Sequence, residues 1–286
     1  MSLAVADLTV HEVVAALDGL YPPSTAQAWD RVGLASGDPA QRVHRVHLAV
    51  DPTLAVIDEA VAAGADLLVT HHPLLLRGVS SVATTTAKGA AVAALVKANL
   101  ALYTAHTNAD VASPGVSDAL AAALGLTDLA PLQPVSSSTA LGIGRVGRLT
   151  QPVSLRSLAQ RLAGALPPAP AGVRVSGHPD AVVQRVAVVG GAGDDLFDAV
   201  RASGADVYVT ADLRHHPAVE AREEANAGGD GAPYLIDAGH WASEWLWLPG
   251  ARDRLVSALG ERAARLETHV SALRTDPWDF VVAGSR

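Results

Sequence analysis

The chain has 286 residues, of which 49% are hydrophobic, and its formal net charge is -8 at pH 7. A chain of this length can bury a large core in one domain or in two smaller ones. The acidic balance disfavours sequence-independent binding of nucleic acid, which needs clustered lysine and arginine. The sequence contains no cysteine, so any metal site must be built from nitrogen and oxygen ligands.

The apolar runs are too short to cross a membrane. Each is interrupted by Asp, His or Gly well before the roughly 18 to 20 residues that a spanning helix needs. The first residues, MSLAVADLTVHEVV, lack the basic region and apolar core of a secretory signal. We therefore expect a cytoplasmic protein with no membrane partner.

Strands and helices alternate along the first part of the chain. TVHEVVAALDGL predicts a helix, with Thr9 and Glu12 at capping-box spacing. VHRVHLAVD, DLLVT and ALYTAHT predict strands, and the helical patterns PTLAVIDEAVAAGA and AKGAAVAALVKANL separate them. SPGVSDALAAALG predicts a further helix, capped by Ser113. Units of strand, helix and strand place their strands parallel in one sheet.

The composition changes between residues 132 and 177, where Pro, Ser and Gly are frequent. We interpret residues 132–177 as a connection that contains a helix near SLRSLAQRLAGAL. It joins two lobes, residues 1–131 and 178–286, that form one compact unit. In the second lobe the alternation returns, and GADVYVT at 204–210 matches GADLLVT at 64–70 in five of seven positions. The predicted fold class is α/β, with two related lobes and mostly parallel sheets.

Six of the 11 histidines lie at or just after the end of a predicted strand. They are His71, His72, His106, His215, His216 and His240. Ligands of open parallel sheets bind beyond the carboxyl ends of the strands. A single histidine there more often caps the sheet than binds a metal, and an isolated His-x-x-x-Glu pair is usually a solvated helix face. A tandem pair with further carboxylates, in a chain without cysteine, favours a metal site in a cleft at the strand ends.

The predicted metal ligands are His71, His72, Asp110, His240 and Glu244. If HWASEWLWL is helical from its first residue, His240 and Glu244 share one face, with Cβ atoms about 5 to 6 Å apart. Five ligands exceed the needs of one catalytic ion, whereas two ions that share a carboxylate would use them all. We therefore predict two divalent transition-metal ions per chain, bridged by Glu244. These ligand types suit Zn, Fe, Mn, Co and Ni alike.

Six segments carry a resemblance to a known family: AWDRVGLASG, LLVTHHPLLLRG, AHTNAD, GIGRVGRL, VYVTADLRHH and DAGHWASE. In this order they resemble the Nif-three-like dinuclear metal-centre family, often labelled type 2 GTP cyclohydrolase I homologues. The resemblance implies the same five ligands and a toroidal homohexamer. It places His106 near the site without fixing its role. It also places Asp212, His215 and His216 in a motif that lines the same cleft. Larger members carry an inserted domain for which the connection here is too short.

The resemblance also implies a function. It points to a metal-dependent hydrolase that acts on a nucleotide or a related small molecule. The implied reaction opens a purine ring at its imidazole carbon, and His106 or His215 would carry the proton. The alternative is a non-catalytic metal-binding scaffold for metal storage, delivery or regulation. The additional polar residues around the ligands favour catalysis, because storage alone would not need them.

Overall fold

A computed structural model gives the fold and describes residues 7–135, 140–229 and 231–282. The helices are α1 (Val10–Leu20), α2 (Leu54–Ala62), α3 (Ala87–Ala98), α4 (Thr107–Val111), α5 (Val116–Leu124), α6 (Leu155–Ala165), α7 (Phe197–Ser203), α8 (His215–Ala227), α9 (His240–Trp245) and α10 (Trp247–Leu259). The strands are β1 (Leu8–Thr9), β2 (Gly33–Ser36), β3 (Arg42–Val43), β4 (Arg45–Ala49), β5 (Leu67–Thr70), β6 (Ala101–Thr104), β7 (Thr127–Pro134), β8 (Gly142–Ser154), β9 (Arg174–Ser176), β10 (Val182–Ala192), β11 (Val207–Ala211), β12 (Tyr234–Asp237) and β13 (Glu267–Val270). None of these helices is long and apolar enough to span a membrane.

By its internal contacts the chain divides into two compact units. The first unit comprises Met1–Ala112 and Leu248–Thr275, and the second comprises Ser113–Trp247 and Asp276–Arg286. This division differs from the boundaries expected at residues 131 and 178. Residues 132–177, interpreted above as a connection, contain β8, α6 and β9 of the second unit. The predicted α/β class with two lobes is confirmed, and the packing of both lobes as one compact unit stays a prediction.

The main sheet of the first unit has five strands in the order β13-β4-β5-β6-β2. Strands β13, β4, β5 and β6 are parallel to one another, and β2 is antiparallel to β6. All residues of β5 and β6 are buried, as expected for apolar parallel strands that are covered on both faces. The carboxyl ends of β4, β5 and β6 therefore meet at one edge, and the polar residues that follow these strands are brought together there.

The sheet of the second unit has six strands in the order β7-β8-β10-β11-β12-β9. Its centre, β10-β11-β12, is parallel, whereas β7, β8 and β9 pair antiparallel. Val207 and Val209 of β11 belong to one apolar cluster and Tyr208 belongs to another. Because successive side chains of a strand point to opposite faces, the two clusters cover the two faces of this sheet.

The repeated Gly-Ala-Asp segments form the same local structure in both units. Gly64 and Gly204 both adopt a left-handed conformation, with φ of 66°. Oδ2 of Asp66 accepts hydrogen bonds from two successive backbone N–H groups at the start of β4, at 2.7 and 2.9 Å. Oδ2 of Asp206 does the same for Gln184 and Arg185 of β10, at 2.7 Å each. The sequence repeat therefore reflects a repeated way of joining a helix to the adjacent strand.

Helix α1 begins with the predicted capping box. The Thr9 N–H donates to Oε2 of Glu12 at 2.8 Å, and the Glu12 N–H donates to the Thr9 hydroxyl at 3.4 Å. The Arg262 guanidinium lies 2.6 Å from the other carboxylate oxygen. The hydrogen bond from Arg262, followed by those from Thr9, lowers the pKa of Glu12 from 4.5 to about 2.

This lowered pKa predicts a loss of stability in acid. The contribution of the Glu12 carboxylate is present above its unfolded pKa of 4.5 and is lost as the pH falls through about 2. Glu12→Gln keeps the capping geometry but removes the charge. Because the group is partly exposed, we expect it to lower the free energy of unfolding by about 1 kcal/mol at pH 7. Urea unfolding at pH 7 and pH 3 should show that the difference between wild type and variant shrinks in acid, with Glu261→Gln as an exposed control.

Candidate metal centre

Three histidines of the first unit lie together beyond the carboxyl ends of β5 and β6. The ring centroid of His71 lies 5.1 Å from those of His72 and His106. One ligand nitrogen from each of the three rings lies within 4.8 Å of the others. His71 is buried and the other two are partly exposed. The three imidazoles therefore present their nitrogens to one small region.

The Nδ1 atom of each ring is hydrogen-bonded to an oxygen of the same unit. The pairs are His71 with Ala105 O at 2.8 Å, His72 with Asp51 Oδ1 at 2.7 Å and His106 with Asp30 Oδ1 at 2.9 Å. Carbonyl and carboxylate oxygens accept hydrogen bonds, so in the neutral form of each ring the proton is on Nδ1 and the lone pair is on Nε2. Metal-binding histidines are oriented in the same way.

Asp30 and Asp51 hold the rings through further bonds of their own. Oδ2 of Asp30 accepts the backbone N–H of Thr107 at 3.0 Å, and Asp51 accepts the hydroxyl of Thr275. Burial alone would raise the pKa of Asp30, but hydrogen bonds from His106 and Thr107 outweigh it and hold this pKa well below the usual range. Asp30 therefore stays ionised at neutral pH.

No role was predicted from the sequence for these two aspartates. Asp51 follows β4 at the same sheet edge as the histidines, so the strand-end argument that selected the histidines could also have found it. Asp30 lies in the loop before β2, and its only signal was its place in the motif AWDRVGLASG.

Asp110, a predicted ligand, lies on α4 next to the imidazole cluster. Its Oδ1 atom is 3.8 Å from Nε2 of His71. This is the nitrogen that the hydrogen bond to Ala105 leaves unprotonated. His71, His72, His106 and Asp110 of the first unit thus form one group of nitrogen and oxygen donors.

The second unit contains a histidine and a carboxylate on one helix face. Nε2 of His240 lies 3.0 Å from Oε1 of Glu244, one turn later in α9, which confirms the predicted pairing. Nδ1 of His240 is bonded to Oδ2 of Asp212 at 2.7 Å. This hydrogen bond is the main cause of the lowered pKa of Asp212. Asp212 has a φ of 53°, which is uncommon for a residue other than glycine and recurs at functional sites.

Gly191, in the irregular part of β10 between Val188 and Ala192, leaves the space that Glu244 occupies. Its φ is 71°, and a Cβ atom built on it would lie 2.2 Å from Oε1 of Glu244 and 3.3 Å from Nε2 of His240. Its backbone N–H donates to the hydroxyl of Ser243 at 2.9 Å. The glycine is thus required by both its conformation and the carboxylate that packs on it.

His215 and His216 open helix α8, and both are exposed. Their ring centroids are 5.3 Å apart. His215 lines an open cavity of about 480 Å³ that also exposes Arg174 and Arg222. In the described part of the chain, neither histidine belongs to a cluster of three metal-ligating side chains. Their expected place in the cleft beside the metal ligands stays a prediction.

Comparison with known proteins identifies the family. The family described as Duf34/NIF3 (NGG1p interacting factor 3) matches residues 8–277. The chain belongs to this family. A Streptomyces coelicolor relative, named GTP cyclohydrolase 1 type 2 homolog, is 50% identical over 278 residues, or 96% of this chain and 95% of its own. The crystal structure of a Bacillus cereus protein related to NIF3 has a TM-score of 0.86 and 25% identity, and the match covers 96% of this chain and 99% of that one.

One relative is longer than this chain. A Mycobacterium bovis relative, also named GTP cyclohydrolase 1 type 2 homolog, is 37% identical over 386 residues, which cover 98% of each protein. An alignment of this length exceeds the 286 residues present here. The mycobacterial protein therefore contains sequence that this chain lacks.

The hydrogen bond from His72 to Asp51 gives a testable prediction for this family member. Asp51→Ala removes the acceptor that fixes the ring, so we expect metal affinity to fall roughly 10- to 100-fold. Asp51→Asn keeps an oxygen acceptor and should therefore lower the metal affinity less. Competition with a chromogenic chelator measures the affinity, and Asp58→Ala, at an exposed position of the same unit, serves as control. Equal affinities for the alanine variant and wild type would rule out an orienting role.

Proposed function

We propose that this Duf34/NIF3 protein is a metal-dependent hydrolase that acts on a nucleotide or a related small molecule. In this proposal His71, His72, Asp110, His240 and Glu244 hold two divalent transition-metal ions. One observation carries it: Nδ1 of every histidine in the ligand set is bonded to an oxygen, at 2.7 to 2.8 Å. Metal-binding histidines are held by the same kind of bond through Nδ1, with Nε2 as the nitrogen that binds the ion. The substrate class comes from the names of the relatives.

Divalent ions bound by these residues would supply Lewis-acid activation for hydrolysis. The remaining tasks belong to side chains of the protein. Asp51 and Asp212 keep the rings of His72 and His240 in one orientation and one tautomer. Their negative charges also favour the protonated Nδ1 of each ring.

His106 and His215 are the two candidate proton carriers, and the structure gives them different surroundings. His106 lies among the other imidazoles, with Nδ1 held by Asp30, so it is also placed to act as a ligand. His215 lines the cavity with Arg174, Arg222 and Glu223. Arg174 is paired with Asp237 at 2.6 Å, so the cavity offers guanidinium donors for a phosphorylated substrate without a large net positive charge. We therefore favour His215 as the proton carrier and His106 as part of the donor group.

The experiment is a hydrolysis screen of metal-loaded protein. Protein stripped of metal and reloaded with one ion at a time is incubated with GTP, other nucleotides and phosphoesters. We expect turnover that chelation abolishes and one preferred ion restores. Asp110→Ala should lose it, Asp58→Ala should keep it, and His215→Ala should lower kcat while its metal content stays unchanged.

The non-catalytic scaffold is the rival function, because the same donor set suits storage, delivery or regulation. Full metal loading without hydrolysis of any substrate would favour it. Hydrolysis that persists unchanged in metal-depleted Asp110→Ala would also contradict the proposed enzyme. In either case metal binding is measured separately, by elemental analysis.

Two further proposals rest on the sequence resemblance and composition. We propose that the protein assembles as a toroidal homohexamer and that it resides in the cytoplasm. Light scattering at micromolar concentration and physiological salt should give the mass of six chains, whereas a monomer alone would refute the assembly.

A further inference from the structure

A second group of metal-ligating side chains lies in the first unit, on residues outside the ligand set above. It consists of His47 on β4, Glu59 on α2 and His269 on β13. One ligand atom from each residue lies within 4.8 Å of those from the other two. The sequence analysis gave none of them a role.

The backbone places the two histidines side by side. Strands β4 and β13 are parallel neighbours, and His47 is directly opposite His269 in their register. Opposed residues of paired strands point to the same face of the sheet. The two ring centroids are accordingly only 4.8 Å apart. Glu59 completes the group on that face, with Oε2 at 3.0 Å from Nε2 of His47.

His47 is a buried imidazole whose hydrogen bonding is incomplete. It is fully buried, and this burial lowers its pKa against the opposing effect of Glu59. The neutral form is the one that binds metals. Its Nδ1 atom is also buried, and within the described part of the chain it has no hydrogen-bond partner. Buried polar atoms are normally bonded, and an exception calls for an explanation such as a bound ion or water.

Glu59 is prepared to act as an anionic ligand. Burial would raise its pKa, but hydrogen bonds from Ser271 and His47 outweigh this and lower it. Both bonds are made to Oε2, and in the described residues no hydrogen bond to Oε1 is present. Glu59 is partly exposed and His269 is exposed on the outermost strand of the sheet. Solvent ions can therefore reach the group.

We propose that His47, Glu59 and His269 form an additional binding site for a divalent transition-metal ion. Two imidazoles and one carboxylate suit Zn²⁺, Co²⁺, Ni²⁺ and Cu²⁺. A purely structural hydrogen-bond network would account for His47, Glu59 and Ser271, but it would give no part to His269. Participation of His269 is therefore what the test must measure.

The test measures Zn²⁺ binding by equilibrium dialysis in the full chain. His71→Ala and His72→Ala together provide a background in which two imidazoles of the candidate metal centre are absent. This background should still bind Zn²⁺, and adding His269→Gln or Glu59→Gln should weaken that binding roughly tenfold or more. His11→Gln, an exposed histidine of the same unit, should leave it unchanged. Circular dichroism melting checks that each variant is folded.

Zn²⁺ binding that is absent from the background, or that His269→Gln leaves unchanged, would overturn the assignment. If the background does not fold, the same variants are compared in the otherwise wild-type chain, where His269→Gln should lower total bound Zn²⁺ by one ion and His11→Gln should not. The readout is metal binding alone. Failure of the proposed hydrolase therefore leaves this result unaffected, and the reverse is also true.

Discussion

Replacing Glu244 with alanine should remove most of the metal from protein purified without chelator, and both ions should be lost together. Glu244 is buried, and its Oε1 lies 3.0 Å from Nε2 of His240. As the proposed bridging carboxylate it would be a ligand of both ions, so its removal would withdraw one ligand from each. Elemental analysis of wild type and variant measures the metal content per chain.

The other ligands should behave differently in the same measurement. His71→Ala and His72→Ala should each weaken mainly one ion, because each imidazole is proposed to bind one. Glu261→Ala, at an exposed position, should keep the wild-type content. Full metal content in Glu244→Ala would show that the bridging assignment is wrong, whereas loss of a single ion would make Glu244 an ordinary ligand.

The parts of the fold that sequence could predict are those with a local signal. The alternation of apolar strands with helical patterns predicted the central parallel strands of both sheets, and the capping box of α1 has the expected bonds. Histidines at strand ends were predicted to converge because parallel strands end at one edge, and His71, His72 and His106 do converge. The i, i+4 spacing of His240 and Glu244 was sufficient to predict their contact.

The remaining features depend on pairings between distant residues. Strand β13 joins β4 through contacts such as that of His269 with His47, and no local pattern indicates which sheet a late strand will enter. Strand β8 was missed because its glycines and proline are typical of loops, whereas in the sheet β10 and β7 pair with it on either side. Helix α5 is capped by Gly115 and not by the predicted Ser113, since the Gly115 N–H donates to Asp118 at 2.7 Å.

Gly191→Ala should strongly lower metal affinity, because the new methyl group would displace the carboxylate of Glu244. The Cβ would lie 2.2 Å from Oε1 of Glu244, so the carboxylate must move by roughly 1 Å to reach ordinary contact distance. Glu244 is buried and paired with His240, so this movement alters the geometry of the pair. We expect a loss in metal affinity of roughly tenfold or more.

Gly204→Ala separates this steric effect from backbone strain. Gly204 has a φ of 66°, close to the 71° of Gly191, but an added Cβ there would have no atom within 4 Å. Both variants should therefore lose about 1 to 2 kcal/mol of stability from the left-handed conformation, as measured by urea unfolding of the metal-free proteins. Chelator competition should then show reduced metal affinity for Gly191→Ala alone. If Gly204→Ala lowered metal affinity equally, backbone strain in the second unit would explain the loss. The space beside Gly191 would then have no specific part in holding Glu244.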